Sequence, residues 1–166
     1  LRSLSAMVLL GLINSTLITA QPQVSKWAFG ASSFYGSCGL DFMTNAPSIF
    51  TTSINGAEGC SSVADDTGNL LFYTQGTTIW NKSHAVMANG TGLLGDISTT
   101  QSSLIVKKPG SQNLFYVFTL DAHGGTDGLN YSIVDMSLAA GMGSVTVKNM
   151  ALYNVSQTEK LAGVRH

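Results

Sequence analysis

Past residue 60, short apolar runs alternate with polar residues and are separated by tight turn signals. That rhythm has the period of strands. It predicts a hairpin with arms at 61–65 and 69–74 around Asp66-Thr67-Gly68, whose residues supply local hydrogen bonds and a positive φ. A short strand at 77–80 follows Gly76. A second hairpin is expected at 102–106 and 114–120 around Lys108-Pro109-Gly110-Ser111. There Pro109 pre-sets φ and Gly110 takes the unusual backbone position. Two more strand regions are expected at 129–134 and 145–153. The stretch 135–143 has room for a helical turn at most, and no longer window after residue 21 keeps a helical apolar period.

The hairpins resemble one another. Asn69-Leu70-Leu71-Phe72-Tyr73 recurs as Asn113-Leu114-Phe115-Tyr116, with Phe72 and Phe115 43 residues apart. Four-stranded propeller blades recur at about 40–45 residues. A sandwich of repeated hairpins is the rival arrangement. In a propeller, each small sheet has two apolar faces, and its neighbours around the axis cover them.

The first twenty residues differ from the rest. Arg2 is the only charge before Lys26, and an apolar run through Ile13 is followed by Leu17, Ile18 and Ala20. This is the pattern of an export signal peptide cut after Ala20. Asn14-Ser15-Thr16 interrupts the run that a membrane span of about 20 residues needs. The expected division is a leader at 1–20 and an exported β domain at 21–166, with no transmembrane span in the mature chain.

Composition sharpens the reading. Ser, Thr, Asn and Gly make 64 of the 166 residues, which suits turns and solvent-facing sheet positions and not helices. Eight basic against nine acidic residues exclude a nucleic-acid partner, because nothing could neutralise a run of phosphates.

Several longer strings carry a family likeness. They include Cys38-Gly39-Leu40-Asp41-Phe42, Glu58-Gly59-Cys60, the run from Asp66 to Thr74, and Ile79-Trp80-Asn81 with His84. Further on come Met87-Ala88-Asn89-Gly90-Thr91-Gly92, Ser98-Thr99-Thr100-Gln101-Ser102, Phe115-Tyr116-Val117-Phe118-Thr119, and Leu129 to Met136. Together they resemble the N-terminal propeller-like region of bacterial surface proteins that carry a gliding-motility-associated C-terminal domain and leave by type IX secretion. The likeness spans residues 27–166. It implies an all-β fold: a partial β-propeller of about three to four four-stranded blades, of quinoprotein or tryptophan–aspartate-repeat shape. It implies that the chain is a fragment, its remaining blades supplied by its own full-length protein. It brings no agreed catalytic residues.

Candidate chemistry is sparse. Trp80 and His84 lead into what reads as a long loop at 85–100, which also holds Asn89. An aromatic face with polar neighbours suits a sugar or peptide rim, and Trp80 as a filler between sheets is the competing reading. The loop from Asp121 to Gly128 holds His123 and the carboxylates of Asp121 and Asp127 on a glycine-rich backbone. These could hold calcium, although two carboxylates are few. Otherwise no cofactor is expected. Asp65 and Asp66 are expected to bond the backbone of their own turn. Cys38 and Cys60 lie in the exported part, where a disulfide is permitted and two buried thiols are the alternative. His84 and His123 could act as bases, but no motif gives either one an orienting carboxylate and a nucleophile.

The expectation is an exported, non-enzymatic recognition, adhesion or scaffold module at the cell surface, linked to gliding and type IX secretion. Its partner would be a surface polymer or protein. The alternative is part of a secreted propeller hydrolase or lyase acting on glycans.

Overall fold

The computed structural model describes residues 21–30, 36–56 and 58–163. The leader expected at 1–20 lies outside the described residues. The rest is nearly all β, as expected. A 3-10 turn at Pro22–Val24 precedes β1 (Lys26–Phe29), β2 (Cys38–Asp41) and β3 (Ser48–Thr51). Then come β4 (Ser61–Ala64), β5 (Leu70–Thr74), β6 (Thr78–Asn81) and β7 (Val86–Thr91). After β8 (Ser103–Lys107), β9 (Leu114–Leu120) and β10 (Leu129–Asp135), a second 3-10 turn at Ala139–Gly141 leads to β11 (Ser144–Tyr153).

The strands form three antiparallel meanders. β1–β2–β3 make a separate small sheet. β4–β7 and β8–β11 form one eight-stranded sheet in the order β4-β5-β6-β7-β11-β10-β9-β8, joined where β7 and β11 meet in a parallel bridge between Ala88 and Ser144. Its two edges approach each other, with the hydroxyls of Ser61 and Ser103 2.7 Å apart, so the sheet is nearly a closed barrel.

Alternation decides which side chains line the barrel. In β9, Phe115, Val117 and Thr119 are buried while Tyr116 and Phe118 between them are half-exposed. The barrel core joins Phe72, Ile79 and Met87 of one meander to Phe115, Val117, Val134 and Val145 of the other. The rings of Phe72 and Phe115 meet edge to face, 5.5 Å apart. A smaller core lies outside the barrel, where Ala28 and Ile54 cover Tyr73 and Trp80. Each buried aromatic removes roughly 150–250 Å² from water, so these two clusters dominate the apolar burial.

The turns are built as their residues require. Gly68 sits at φ 85° in the first hairpin and Gly110 at φ 74° behind Pro109 in the second. In the first turn, Asp65 accepts bonds from the amides of Thr67 and Asn69. Asp66 departs from expectation: it turns away from its own backbone and accepts a bond from Gln23 at 2.8 Å.

Residues 85–100 are not one long loop. β7 occupies their first half and pairs with β6 through Trp80↔Val86 and Thr78↔Thr91, with a register shift between. Asn89, at φ 56°, kinks the strand. The kink breaks the period-2 pattern, which is why the strand was not visible in the sequence. The 43-residue recurrence joins two meanders that face each other across one core. Phe72 and Phe115 point into that core from the two meanders of the sheet, and Tyr73 and Tyr116 point away from it.

Candidate functional site

A cleft of about 430 Å³ opens where the β4–β5 and β8–β9 turns lie side by side at one end of the barrel. Its volume is in the range of small-molecule and side-chain sites. Val63, Leu71, Ile105, Phe115 and Met136 form the apolar floor. Gln23, Asp66, Lys107, Gln112 and Asn113 form a polar rim. The floor is apolar because these positions close the end of the barrel core, and the rim is polar because both turns are made of hydrogen-bonding residues.

Both carboxylates at the rim accept hydrogen bonds. Partial burial pushes the Asp65 carboxyl up, but hydrogen bonds from Thr67 and Asn69 outweigh it and hold the group down at about 2. Asp66 is bonded by Gln23 and lies 3.8 Å from the Lys107 ammonium. Both side chains of that pair are well exposed, so the attraction is weak. Thr67 is the one hydroxyl in the turn, and it donates to Asp65. No histidine or cysteine lines the cleft. The arrangement offers apolar contact and hydrogen bonds, and no general base beside a nucleophile.

The residues singled out in the sequence lie elsewhere. Trp80 is only 7% exposed and stacks on Tyr73 with centroids 5.7 Å apart, so its ring fills the outer core and offers no face to a ligand. His84 holds the same cluster together. The Tyr73 hydroxyl accepts the Ser53 N–H at 2.9 Å and lies 3.0 Å from His84 Nδ1. Phe50 stacks over the His84 ring, and the His84 carbonyl accepts from the Ser53 hydroxyl. This network ties the β1–β3 layer to the barrel. Asn89 is bonded to the Val145 carbonyl and to Lys148.

His123 is exposed, and its N–H donates to Glu159. It shares no partner with His84. Asp121 accepts bonds from the amides of Ala122 and Asp127, so each of its oxygens already serves its own loop. The loop closes so tightly that a Cβ on Gly125 would collide with that carboxylate. Among the described residues, no group of three or more His, Cys, Asp or Glu converges on a point that could hold a metal ion. Cys38 is exposed in β2, Cys60 is half-buried ahead of β4, and both are free thiols. Burial pushes the Cys60 thiol up from its ordinary value.

Sequence reasoning did not find the cleft. It identified both turns, but nothing local says that residues 65–68 and 107–113 share one end of a barrel. The usable signal was the matched pair of hairpins, which had to pack against each other somewhere. Among the described residues, no helix is long and apolar enough to cross a membrane. The chain matches no family model, no curated protein and no solved structure.

Proposed function

We propose that this chain is an exported recognition or scaffold module of the propeller type, acting at the cell surface through binding and not through catalysis. The observation that carries the reading is the cleft between the two meanders, which pairs an apolar floor with a polar rim whose carboxylates already accept hydrogen bonds. Such a site suits an uncharged, amphipathic ligand such as a glycan or an extended peptide.

The layering supports the propeller reading. The first strands of the three meanders are neighbours. The Ser62 hydroxyl in β4 donates to the Lys26 carbonyl in β1 and accepts from the Ala28 amide, and Ser61 in the same strand meets Ser103 in β8. Meanders that follow one another in chain order with their first strands together share that feature with successive blades around an axis, here with β7 and β11 also paired. The apolar leader supports export.

The test is binding of the purified chain to glycan and peptide arrays, repeated with Phe115→Ala and Lys107→Ala. Binding that weakens at least tenfold in these variants supports the reading. Turnover of a glycan, or binding indifferent to both substitutions, removes it.

A further inference from the structure

The chain holds two Asn-Gly pairs, Asn55-Gly56 and Asn89-Gly90. An asparagine before glycine is the pair most open to attack by the main chain on its own side chain, because a residue without Cβ lets its nitrogen approach. The two pairs stand in different surroundings. Asn89 is tied at both ends of its carboxamide: Nδ2 donates to the Val145 carbonyl at 2.9 Å, and Oδ1 accepts from Lys148 Nζ at 2.8 Å. Its glycine is closed in as well. A Cβ on Gly90 would stand 2.8 Å from the Met87 carbonyl oxygen and 3.0 Å from that of Ile79. Any swing of the Asn89 side chain breaks two bonds that hold β7 to β11.

Asn55 lies in the connection from β3 to β4 and is exposed. Among the described residues its carboxamide has no hydrogen-bond partner; only its main-chain carbonyl is engaged, by Gln75 Nε2 at 3.4 Å. The residues on either side are buried, Ile54 in the outer core at 1% exposure and Gly56 beside it. A Cβ on Gly56 would come within 2.9 Å of Gln75 Cγ, and the Gly56 carbonyl oxygen fills the place that a Cβ on Gly30 would need. Position 56 therefore has to be glycine, while nothing holds the carboxamide before it.

We propose that Asn55 is a site of spontaneous deamidation, and that its conversion loosens the β1–β3 layer over Tyr73 and Trp80. The Gly56 nitrogen gives its proton to water and bonds to Asn55 Cγ. The Cγ–Nδ2 bond breaks, and the leaving nitrogen takes a proton from water and departs as ammonia, which leaves a cyclic imide. Water then opens the ring at one of its two carbonyls. One opening leaves aspartate at position 55; the other routes the main chain through the side-chain carbons as an isoaspartyl link. That link lengthens the main chain by one methylene where Gly56 is packed between Gly30 and Gln75. Either product sets a carboxylate beside Ile54, so the outer core that Ile54 helps to close is the part that must give.

Peptide mapping of the purified chain, held for days in warm neutral buffer, tests this. The mass gain of an amide turned into an acid is expected at residue 55, part of it as isoaspartate that an isoaspartyl methyltransferase labels. Asn89 must first open from β11, so residue 55 should convert roughly tenfold faster or more. In urea both pairs lose their surroundings and should convert at similar rates. Tryptophan emission should shift to the red as residue 55 converts in the folded chain. Trp27 is already 52% exposed, so the shift reports Trp80. Asn55→Gln should keep the fold, since its carboxamide holds nothing, and should abolish the shift over the same period. Equal rates at 55 and 89 in the folded chain overturn the proposal. So does an Asn55 that converts only in urea, which would mean that the packing of Gly56 forbids the attack. Conversion at 55 with unchanged emission overturns the loosening of the layer.

Discussion

The two four-stranded meanders invite comparison because they begin alike and finish differently. Each turns its phenylalanine, Phe72 or Phe115, into the shared core and its tyrosine, Tyr73 or Tyr116, outward. Tyr73 has no exposed surface, because β1–β3 lie over it. Tyr116 is half-exposed with Phe118 and Tyr131 beside it. The same strand chemistry thus yields a core residue in one sheet and a surface aromatic in the other. What differs is the neighbour, so burial here belongs to the layer and not to the residue. Period 2 fixes which face a side chain takes, but it cannot say whether that face is covered.

The largest test of this contrast removes one covered ring and one uncovered ring. Phe72→Ala deletes a fully buried side chain and its edge-to-face partner contact with Phe115. It should cost about 3–5 kcal/mol through lost transfer energy and a residual cavity. Phe118→Ala, on the open face, should cost under about 1 kcal/mol when denatured at low protein concentration. Urea denaturation of both variants measures the difference. Equal losses would mean that the β8–β11 outer face is covered within the monomer.

Removing single hydroxyls gives a finer version. Tyr73→Phe keeps the stack on Trp80 but leaves the Ser53 N–H and His84 Nδ1 without their partner. Ser53 is exposed and His84 half-buried, so water can take the hydroxyl's place and the cost should be about 1 kcal/mol, that of a lost hydrogen bond. Tyr116→Phe should stay within about 0.5 kcal/mol of wild type. Amide exchange at Ser53 should quicken in Tyr73→Phe ahead of any global change, since that contact anchors the outer layer.

The hairpin turns differ in their response to acid. The first is organised by the Asp65 carboxylate, and the second by the Ser111 hydroxyl, which accepts the amides of Asn113 and Leu114. Asp65 is held at about 2 when folded, against an ordinary 3.8. A depressed carboxyl contributes stability that is present above about pH 4 and lost as pH falls toward 2. The urea midpoint of the wild type should fall over that window. Part of the fall should be missing in Asp65→Asn, which is already weaker at neutral pH. Ser111→Ala should lower stability without changing the shape of the acid limb.

These contrasts also show how far the sequence reaches. Seven strands were legible because alternation and turn residues are local: 114–120 reads directly as β9, and Pro109-Gly110 as its turn. β7 was hidden by the kink at Asn89, and β1–β3 are short strands whose place depends on what they cover. Trp80 and His84 were legible as a pair, yet their role was not. An aromatic beside a histidine reads the same whether it faces solvent or Tyr73. The cleft was invisible because its floor and rim come from separate segments spread between residues 23 and 136. The Asp65 turn could be read because all its partners lie within four residues.

The smallest expected effect concerns the one carboxylate that reaches across the chain to hold loops beside β8–β11. Glu159 accepts the amides of His123 and Thr100 and the Thr100 hydroxyl. Those bonds, that of His123 first, draw its carboxyl down from 4.5 to about 2. Asp65 does comparable work inside its own turn, so losing it disturbs a hairpin. Glu159 instead fastens the segment after β11 across two loops, and that segment carries few buried side chains. Glu159→Gln keeps an acceptor and removes the charge. The thermal midpoint should therefore stay within error of wild type, while the amides of Thr100 and His123 exchange faster at neutral pH. The sign with pH matches Asp65: the fastening is complete above about pH 4 and loosens toward 2. If Glu159→Gln instead lowers the midpoint as far as Asp65→Asn does, the tail is part of the fold of β8–β11, and the two meanders differ in their construction as well as in their covering.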